Sequence, residues 1–342
     1  MAVTTLPDYT RTLDDDFVNT WYEIRDEAID NILNATPVWN VLLNAGSFVE
    51  QVGGEIITRT IRYGEITPEQ VQKGHVMTPS EPKLETLAMW DWRYIASNVQ
   101  RSTFTDQKNN GPSKIKDYVG GRITAARDGL EQQYETDLWG AFTSGEGGAG
   151  IASLNDMIPL VTDRLTSTYG KINRPLSYDN NTLAVDYPLT GNIWWGPAYY
   201  EGVQATVDVD LLSDMKKLYN GIHKNQAAPN LIIMSLAMFE IYEDFAIDIS
   251  QIIKDETTRL ADMGFEVLRF KGKPLIYSAD ITDQNALFLN TDFIEFVYDP
   301  QLWFDMTDWK PQAFEFDRAA QIICAGNLIT TQPRRHGRLE YS

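Results

Sequence analysis

Apolar positions along the chain follow two periods, one helical and one strand-like, and the changes between them mark out its elements. From Ser113 to Phe142 the residues Ile115, Val119, Ile123, Ala126, Leu130, Tyr134, Leu138 and Phe142 recur three or four apart. This is the stripe of a helix that buries one face. Ser113, after Gly111-Pro112, is placed to cap its start, and Gly145, Gly147 and Gly148 to stop it. At 1.5 Å per residue the predicted rod is roughly 40 Å long, about three times an average globular helix. Gly120-Gly121 interrupts it. The pair predicts either a bend within one helix or a start near Arg122 with a separate turn before it, because glycine costs about 1 kcal/mol relative to alanine in a helix interior.

The same spacing in Phe17, Trp21, Ile24, Ala28, Ile32 and Ala35 predicts an earlier helix, with Asp14, Asp15 and Asp16 complementing its dipole and Pro37 ending it. Residues before it read as an extended polar arm. From Gly53 the period drops to two. Ile57, Arg59, Ile61 and Tyr63 alternate with Ile56, Thr58, Thr60 and Arg62, and Trp90, Trp92 and Tyr94 alternate with Met89, Asp91, Arg93 and Ile95. Two strands follow, one from Gly53 and one over Leu84 to Phe104, joined by the proline-punctuated stretch Thr67 to Lys83. A connection that long without regular structure is uncommon and tends to be functional. The pattern predicts a two-stranded arm with an extended tip, whose apolar residues Ile57, Ile61, Trp90 and Trp92 neighbouring copies must cover.

Beyond the long helix, short helices are expected over Leu154 to Leu165, Val209 to His223, Leu236 to Phe245 and Ile249 to Asp262, with a strand at residues 231 to 235. The stretches FEVLRFKGKPLIYSADI, ALFLNTDFIEFVYDP and FEFDRAAQIICAGNLITTQ then read as successive strands. The order is helix, hairpin, long helix, mixed α/β, then mostly β, an α+β class with no internal repeat.

Charge narrows the function. A formal net charge of −19 over 342 residues argues against binding nucleic acid by phosphate neutralisation, which needs clustered lysine and arginine. The single cysteine, Cys324, lies among apolar neighbours and reads as a buried structural thiol. The first residues lack the basic-then-apolar pattern of a signal peptide, and no run of eighteen apolar residues exists for a membrane span. A reducing aqueous compartment and no membrane partner are expected.

Catalytic patterns are absent. His75, His223 and His336 are far apart, with no His-x-x-His or HExxH pairing, no GxSxG elbow and no dinucleotide fingerprint, and the GEGGAG run lacks the lysine and hydroxyl of a phosphate loop. No cofactor, metal or catalytic residue is assigned. Asp208 and Asp210 fit a helix entry or solvated strand better than a cation site. Trp194, Trp195, Tyr199 and Tyr200 admit a carbohydrate platform, and paired carboxylates admit glycoside hydrolysis, although a core or interface role is the stronger reading. Arg334, Arg335, His336 and Arg338 form the one dense basic cluster. They read either as a solvated tail or as partners for carboxylates of a neighbouring copy.

The ordered set of the alternating hairpin, the long helix, GIASLNDMI after its end, TYGKINR leading to WWGP, KGKPLIYSADI to ALFLNTDFIEF, and the closing AAQIICAGNLITTQPRRHGRL resembles the major capsid proteins of tailed double-stranded DNA bacteriophages, of the Hong Kong 97-type fold. The resemblance covers most of the chain from about residue 50. It implies an N-terminal arm over 1–52, an extended hairpin loop over 53–104 lying across an adjacent subunit, and a peripheral domain over 105–150 with its spine helix. An axial domain over 151–285 and C-terminal strands over 286–342 complete it. It further implies a non-enzymatic subunit in the virion, assembled in the bacterial cytoplasm as hexamers and pentamers. The implied partners are a portal protein, a separate scaffolding protein, a decoration protein, and packaged double-stranded DNA met without sequence-specific contact. Departures from the family pattern bear on processing: about fifty residues before the hairpin leave little room for a cleaved scaffolding segment, and no Lys–Asn crosslinking pair is assigned, with only Lys73 and Lys83 in the loop. An encapsulin-type compartment, a carbohydrate-active enzyme and a phage tail or decoration module are the rivals.

Overall fold

In the computed structural model the period-two stretch near Gly53 forms β2 (Ile56–Arg62), which pairs antiparallel with β3 (Glu85–Asp91) from Ile56↔Asp91 to Arg62↔Glu85. The structure describes residues 37–64, 66, 68–74, 84–102, 118–143, 148–160, 163, 168–174, 195–223, 228–248, 268–281, 284–312 and 317–341. The expected N-terminal arm and helix, Ser113, Ile115, the helix over Ile249 to Asp262, His75, Lys83 and Trp194 lie outside them. The chain divides into two compact units, each discontinuous in sequence.

The larger unit takes residues 36–94, 133–303 and 325–342. Its main sheet has six strands in the order β7 (Ala198–Gly202), β16 (Gly337–Tyr341), β11 (Asn285–Leu289), β8 (Leu231–Met234), β10 (Lys273–Tyr277) and β9 (Leu268–Phe270). Every residue of β8 and of β11 is buried. Both faces of those strands are therefore covered, which is why LIIM and NALFL read as continuous apolar runs rather than alternating ones. Leu211, Met215, Leu218 and Ile222 of α4 (Val207–Ile222), with Met238, Phe239 and Tyr242 of α5 (Leu236–Asp248), close the core over Ile232, Phe288 and Leu339. The last strand, β16, lies between two others, parallel to β7 and antiparallel to β11.

A second core in this unit is aromatic. Trp39 of α1 (Pro37–Asn44) stacks on Tyr134 at 4.6 Å and meets Phe296 edge-on at 5.1 Å. Phe48, in β1 (Phe48–Glu50), and Trp303 close around Phe296, in β12 (Ile294–Tyr298). Here β1 runs parallel to β12, and β12 antiparallel to residues 326–330 of β15 (Asp317–Thr330). Helix α1 departs from the expectation that Pro37 only ends a helix. Proline is equally at home in the first turn of a helix, and Val38, Trp39 and Leu42 supply the buried side of this one. Its free N–H groups are met by a buried carboxylate: Trp39 N–H donates to Glu135 Oε2 at 2.7 Å and Val38 N–H to Oε1 at 3.4 Å, and Trp139 Nε1–H donates to Oε1 at 3.3 Å. Burial pushes the Glu135 carboxyl above the usual carboxylate range, against the lowering effect of these donors.

The smaller unit takes residues 1–35, 95–132 and 304–324. Within it β13 (Asp305–Met306) and β14 (Lys310–Pro311) pair antiparallel with Ile322-Ile323 and Arg318-Ala319. Arg122 Nη1 donates to Gln100 O at 2.6 Å, and the Arg101 guanidinium lies over the Trp309 ring. The long helix is α2 (Tyr118–Leu138), 21 residues and so about 31 Å. It runs through Gly120-Gly121, so a start near Arg122 is corrected. It stops before Phe142, where the Trp139 and Gly140 N–H groups turn back to the Thr136 and Asp137 carbonyls. Cys324 is buried, as its neighbours predicted.

Candidate assembly surfaces

The hairpin is seated on its own chain before it reaches any other. Ile57 and Trp90, expected to await a neighbour, are both 0% exposed. Trp90 packs edge-on against Tyr169 at 5.7 Å and lies near Trp195 at 6.5 Å, so no surface of either residue is left for a second copy, and that expectation is corrected. Tyr169 belongs to β5 (Thr168–Tyr169), which forms a tight hairpin with β6 (Ile172–Asn173) in the TYGKINR stretch. Gly170 at its turn has φ +57 and donates no side chain; its carbonyl accepts from Met89 N–H at 3.0 Å. A Cβ there would lie 2.9 Å from Trp90 Cζ2 and 3.2 Å from Ala88 Cβ. Gly170→Ala is therefore expected to cost about 1–3 kcal/mol, read as a lower urea midpoint with faster proteolysis of the hairpin; an unchanged midpoint would refute the seat.

Other contacts fix the base. Arg59 Nη2 and Glu295 Oε2 pair at 2.9 Å, Lys171 Nζ and Asp91 Oδ1 at 2.8 Å, and Asn327 Nδ2 donates to Asp91 O at 2.8 Å. Arg93 Nη1 donates to the Gly148 carbonyl. The single strand expected over Leu84 to Phe104 is broken at Trp92 into β3 and β4 (Arg93–Ser102), and β4 pairs with β15 instead of β2. Trp92 is half-buried and its Nε1–H donates to Gly54 O at 2.8 Å. The break arises because the partner strand changes there, which alternation alone does not report.

Exposure rises away from the base. Ile61 is half-buried, Leu87 is exposed, and in the connection between the strands Ile66 and Val71 are 66% and 58% exposed. Tyr63 and Gly64 N–H groups both donate to Leu84 O, so the connection starts and ends at one point. A closed tip carrying bare isoleucine and valine presents apolar surface to whatever it meets.

The basic cluster near the C-terminus is not one surface. Arg334 alone is exposed. Arg335 is buried, with Nε donating to Gln332 Oε1 at 3.3 Å and its guanidinium over the Phe293 ring. Arg338 is 0% exposed: Nε donates to Asn285 Oδ1 at 2.7 Å, and Nη1 to Asn155 Oδ1 and Ile158 O, each at 2.9 Å. Both the tail reading and the neighbour reading are corrected for Arg335 and Arg338. Arg174, also 0% exposed, donates from Nη2 to the Asp156 and Met157 carbonyls. Together the two guanidiniums satisfy the carbonyls that end the short helix α3 (Leu154–Met157), whose start is closed by the Ser153–Asp156 capping box. His336 between them is fully buried: Asn290 N–H donates to Nδ1 at 3.2 Å and Nε2 lies 2.9 Å from Thr330 Oγ1. Thr330 Oγ1 donates to Phe293 O at 2.8 Å, which leaves its oxygen to accept and places the imidazole proton on Nε2.

The carbohydrate platform loses two of its three described members, Trp195 and Tyr199, and Tyr200 is half-buried. Trp195 is 0% exposed and its Nε1–H donates to Tyr169 O at 2.9 Å, while Tyr199 is buried in the main sheet. Asp208 and Asp210 stand in the first turn of α4, where carboxylates meet the positive end of the helix. Among the described residues no helix is long and apolar enough to cross a membrane.

No protein-family model matches this chain, and no curated protein matches it either. Solved structures do. The capsid asymmetric unit of cyanophage A-1(L) is similar over 92% of this chain and 95% of its own, with TM-score 0.65 and 16% identity. The capsid of cyanophage P-SCSP1u matches over 93% and 91%, with TM-score 0.56 and 12% identity. The holo-SrpI encapsulin complex from Synechococcus elongatus PCC 7942 matches over 95% and 94%, with TM-score 0.53 and 10% identity. The fold of this chain is therefore one shared by phage capsid subunits and an encapsulin shell.

Proposed function

We propose that the chain is the major capsid protein of a tailed double-stranded DNA phage, which builds a closed shell from copies of itself. The observation that carries this is the likeness to a capsid subunit along nearly the whole length of both chains. The hairpin supports it independently, since its base is seated internally while its tip leaves Ile66 and Val71 bare. In this reading α2 is the spine of a peripheral domain, the six-stranded sheet with α4 and α5 is the axial domain, and the tip lies across an adjacent subunit. Ile61, Trp92 and Arg334 keep surface for such a contact. Hexamers and pentamers form the shell in the host cytoplasm, with a portal protein, a separate scaffolding protein and, on the outside, a decoration protein as partners. The net charge of −19 suits a container, because packaged DNA meets a wall of its own sign.

Electron microscopy of the purified full chain, alone and co-expressed with neighbouring reading frames over a range of salt, tests the proposal. Closed shells, tubes or uniform capsomers are expected; a monomer that persists under every condition would overturn it. Ile66→Asp/Val71→Asp is expected to leave the melting temperature of the unassembled chain within about 1–2 °C and to abolish shells, because two charges would be forced into a dry contact. Shells at the normal yield would remove the tip from the interface. The encapsulin likeness supports a second reading, a compartment for protein cargo, and a stoichiometric protein retained inside shells free of DNA would select it.

A further inference from the structure

One turn of the larger unit holds a lysine in the left-handed backbone region. Strands β9 and β10 pair from Phe270↔Lys273, so Lys271-Gly272 is a two-residue hairpin loop, with φ of 49 and 77. Such a loop favours asparagine or glycine at its first position, because a side chain there sits in the left-handed region. Lysine occupies it instead. Its ammonium lies 4.5 Å above the Tyr219 ring and donates to Asn220 Oδ1 at 2.6 Å, both on α4. Lys216, one turn earlier on α4, is exposed, repels Lys271, and makes no hydrogen bond or ion pair among the described residues. No carboxylate pairs with either lysine there, although the chain has 48 acidic residues against 29 lysines and arginines. Lys217, by contrast, is paired with Asp214 at 2.9 Å.

The other end of α4 has the opposite character. Asp208 is exposed, Asp210 is half-buried, and neither makes an ion pair among the described residues; Val209 and Val203 beside them are 76% and 64% exposed. Val209, Lys216, Asn220 and His223 share one solvent-facing stripe of the helix, since seven, eleven and fourteen residues close on nearly whole turns.

We infer that this face of α4 docks on a second copy of the chain, with Lys216 and Lys271 of one copy facing Asp208 and Asp210 of the next. The inference rests on the shell reading and deepens it by naming a contact. Each subunit carries one patch of each sign, so a head-to-tail contact passes from copy to copy and closes a ring wherever the rotation between copies closes. A single exposed ion pair is weak, but a closed shell repeats it many times. The strained lysine is retained because its reach over Tyr219 sets the ammonium where a neighbour's carboxylate arrives.

Charge exchange tests it. Lys216→Glu/Lys271→Glu and Asp208→Lys/Asp210→Lys are each expected to lower shell yield by about tenfold or more, since like charges then meet across the contact. The variant with all four changes is expected to regain most of the yield. Lys271→Asn guards against a folding artefact: it relieves the turn, so the unassembled chain is expected to melt at a higher temperature while shell yield falls. Wild-type yield from either charge-reversed pair or from Lys271→Asn, or failure of the four-change variant to recover, overturns the contact. Absence of shells from the wild-type chain itself overturns the shell reading, and the contact with it.

Discussion

Arg338→Met is expected to lower the stability of the unassembled chain by about 3 kcal/mol. Methionine fills much of the space and removes a buried cation, which by itself recovers several kcal/mol of desolvation. Against that gain, Asn285 Oδ1, Asn155 Oδ1 and Ile158 O lose their donor at once inside the protein, at about 1–3 kcal/mol each. The loss prevails because β16 is an inner strand, so the three acceptors cannot turn to water without opening the sheet between β7 and β11. Arg338→Lys is expected to rescue little, since an ammonium offers one point of charge where the guanidinium spans acceptors from separate segments. Urea unfolding checks both variants. A methionine variant within about 1 kcal/mol of wild type would mean that the network is idle.

The same arginine shows what could be read from the chain and what could not. The hairpin was legible because one face of β2 and β3 is buried, and burial on one face writes period two into the sequence. The strands β8 to β12 were legible from short apolar runs between turns, and α4 and α5 were found within a few residues of their ends. Composition placed Arg335 and Arg338 outside because charged side chains are almost never buried unless paired. Their partners are remote in sequence: Asn155 lies 183 positions and Asn285 53 positions from Arg338. No local pattern reports a pairing over that distance. Trp90 failed in the same way, since it is covered by Tyr169 and Trp195 and not by anything adjacent in the chain, whereas Trp195 takes the core role its stretch favoured. Helix α1 was hidden by its brevity, and the capping carboxylate that sustains it is contributed by α2, 96 residues from Trp39. Ile66, Val71 and the face of α4 are the surfaces that these internal contacts leave exposed.

Acidification is expected to weaken the larger unit through His336, well before most carboxylates titrate. Burial holds this imidazole down at about 3, against an ordinary value of 6.5. The ring is neutral in the folded chain, its Nδ1 occupied by the Asn290 N–H, and a proton there would displace that donor and bury a charge. Between these two values the unfolded chain binds a proton that the folded chain does not, so stability falls as pH falls. The penalty begins near pH 6.5, reaches about 2 kcal/mol at pH 5 and about 4 kcal/mol at pH 3, and is absent above pH 7. Glu135 acts with the opposite sign: its carboxyl is held above the usual range, so the folded chain takes up that proton first and gains stability as pH falls through the window. The two are separated by His336→Gln, whose amide can accept from Asn290 and donate to Thr330 without titrating. Melting curves of wild type and variant should run together above pH 7 and diverge below pH 6, the wild type falling faster. Parallel curves down to pH 4 would show that His336 is protonated in the folded chain or reaches water, and would sink the assignment of its proton to Nε2.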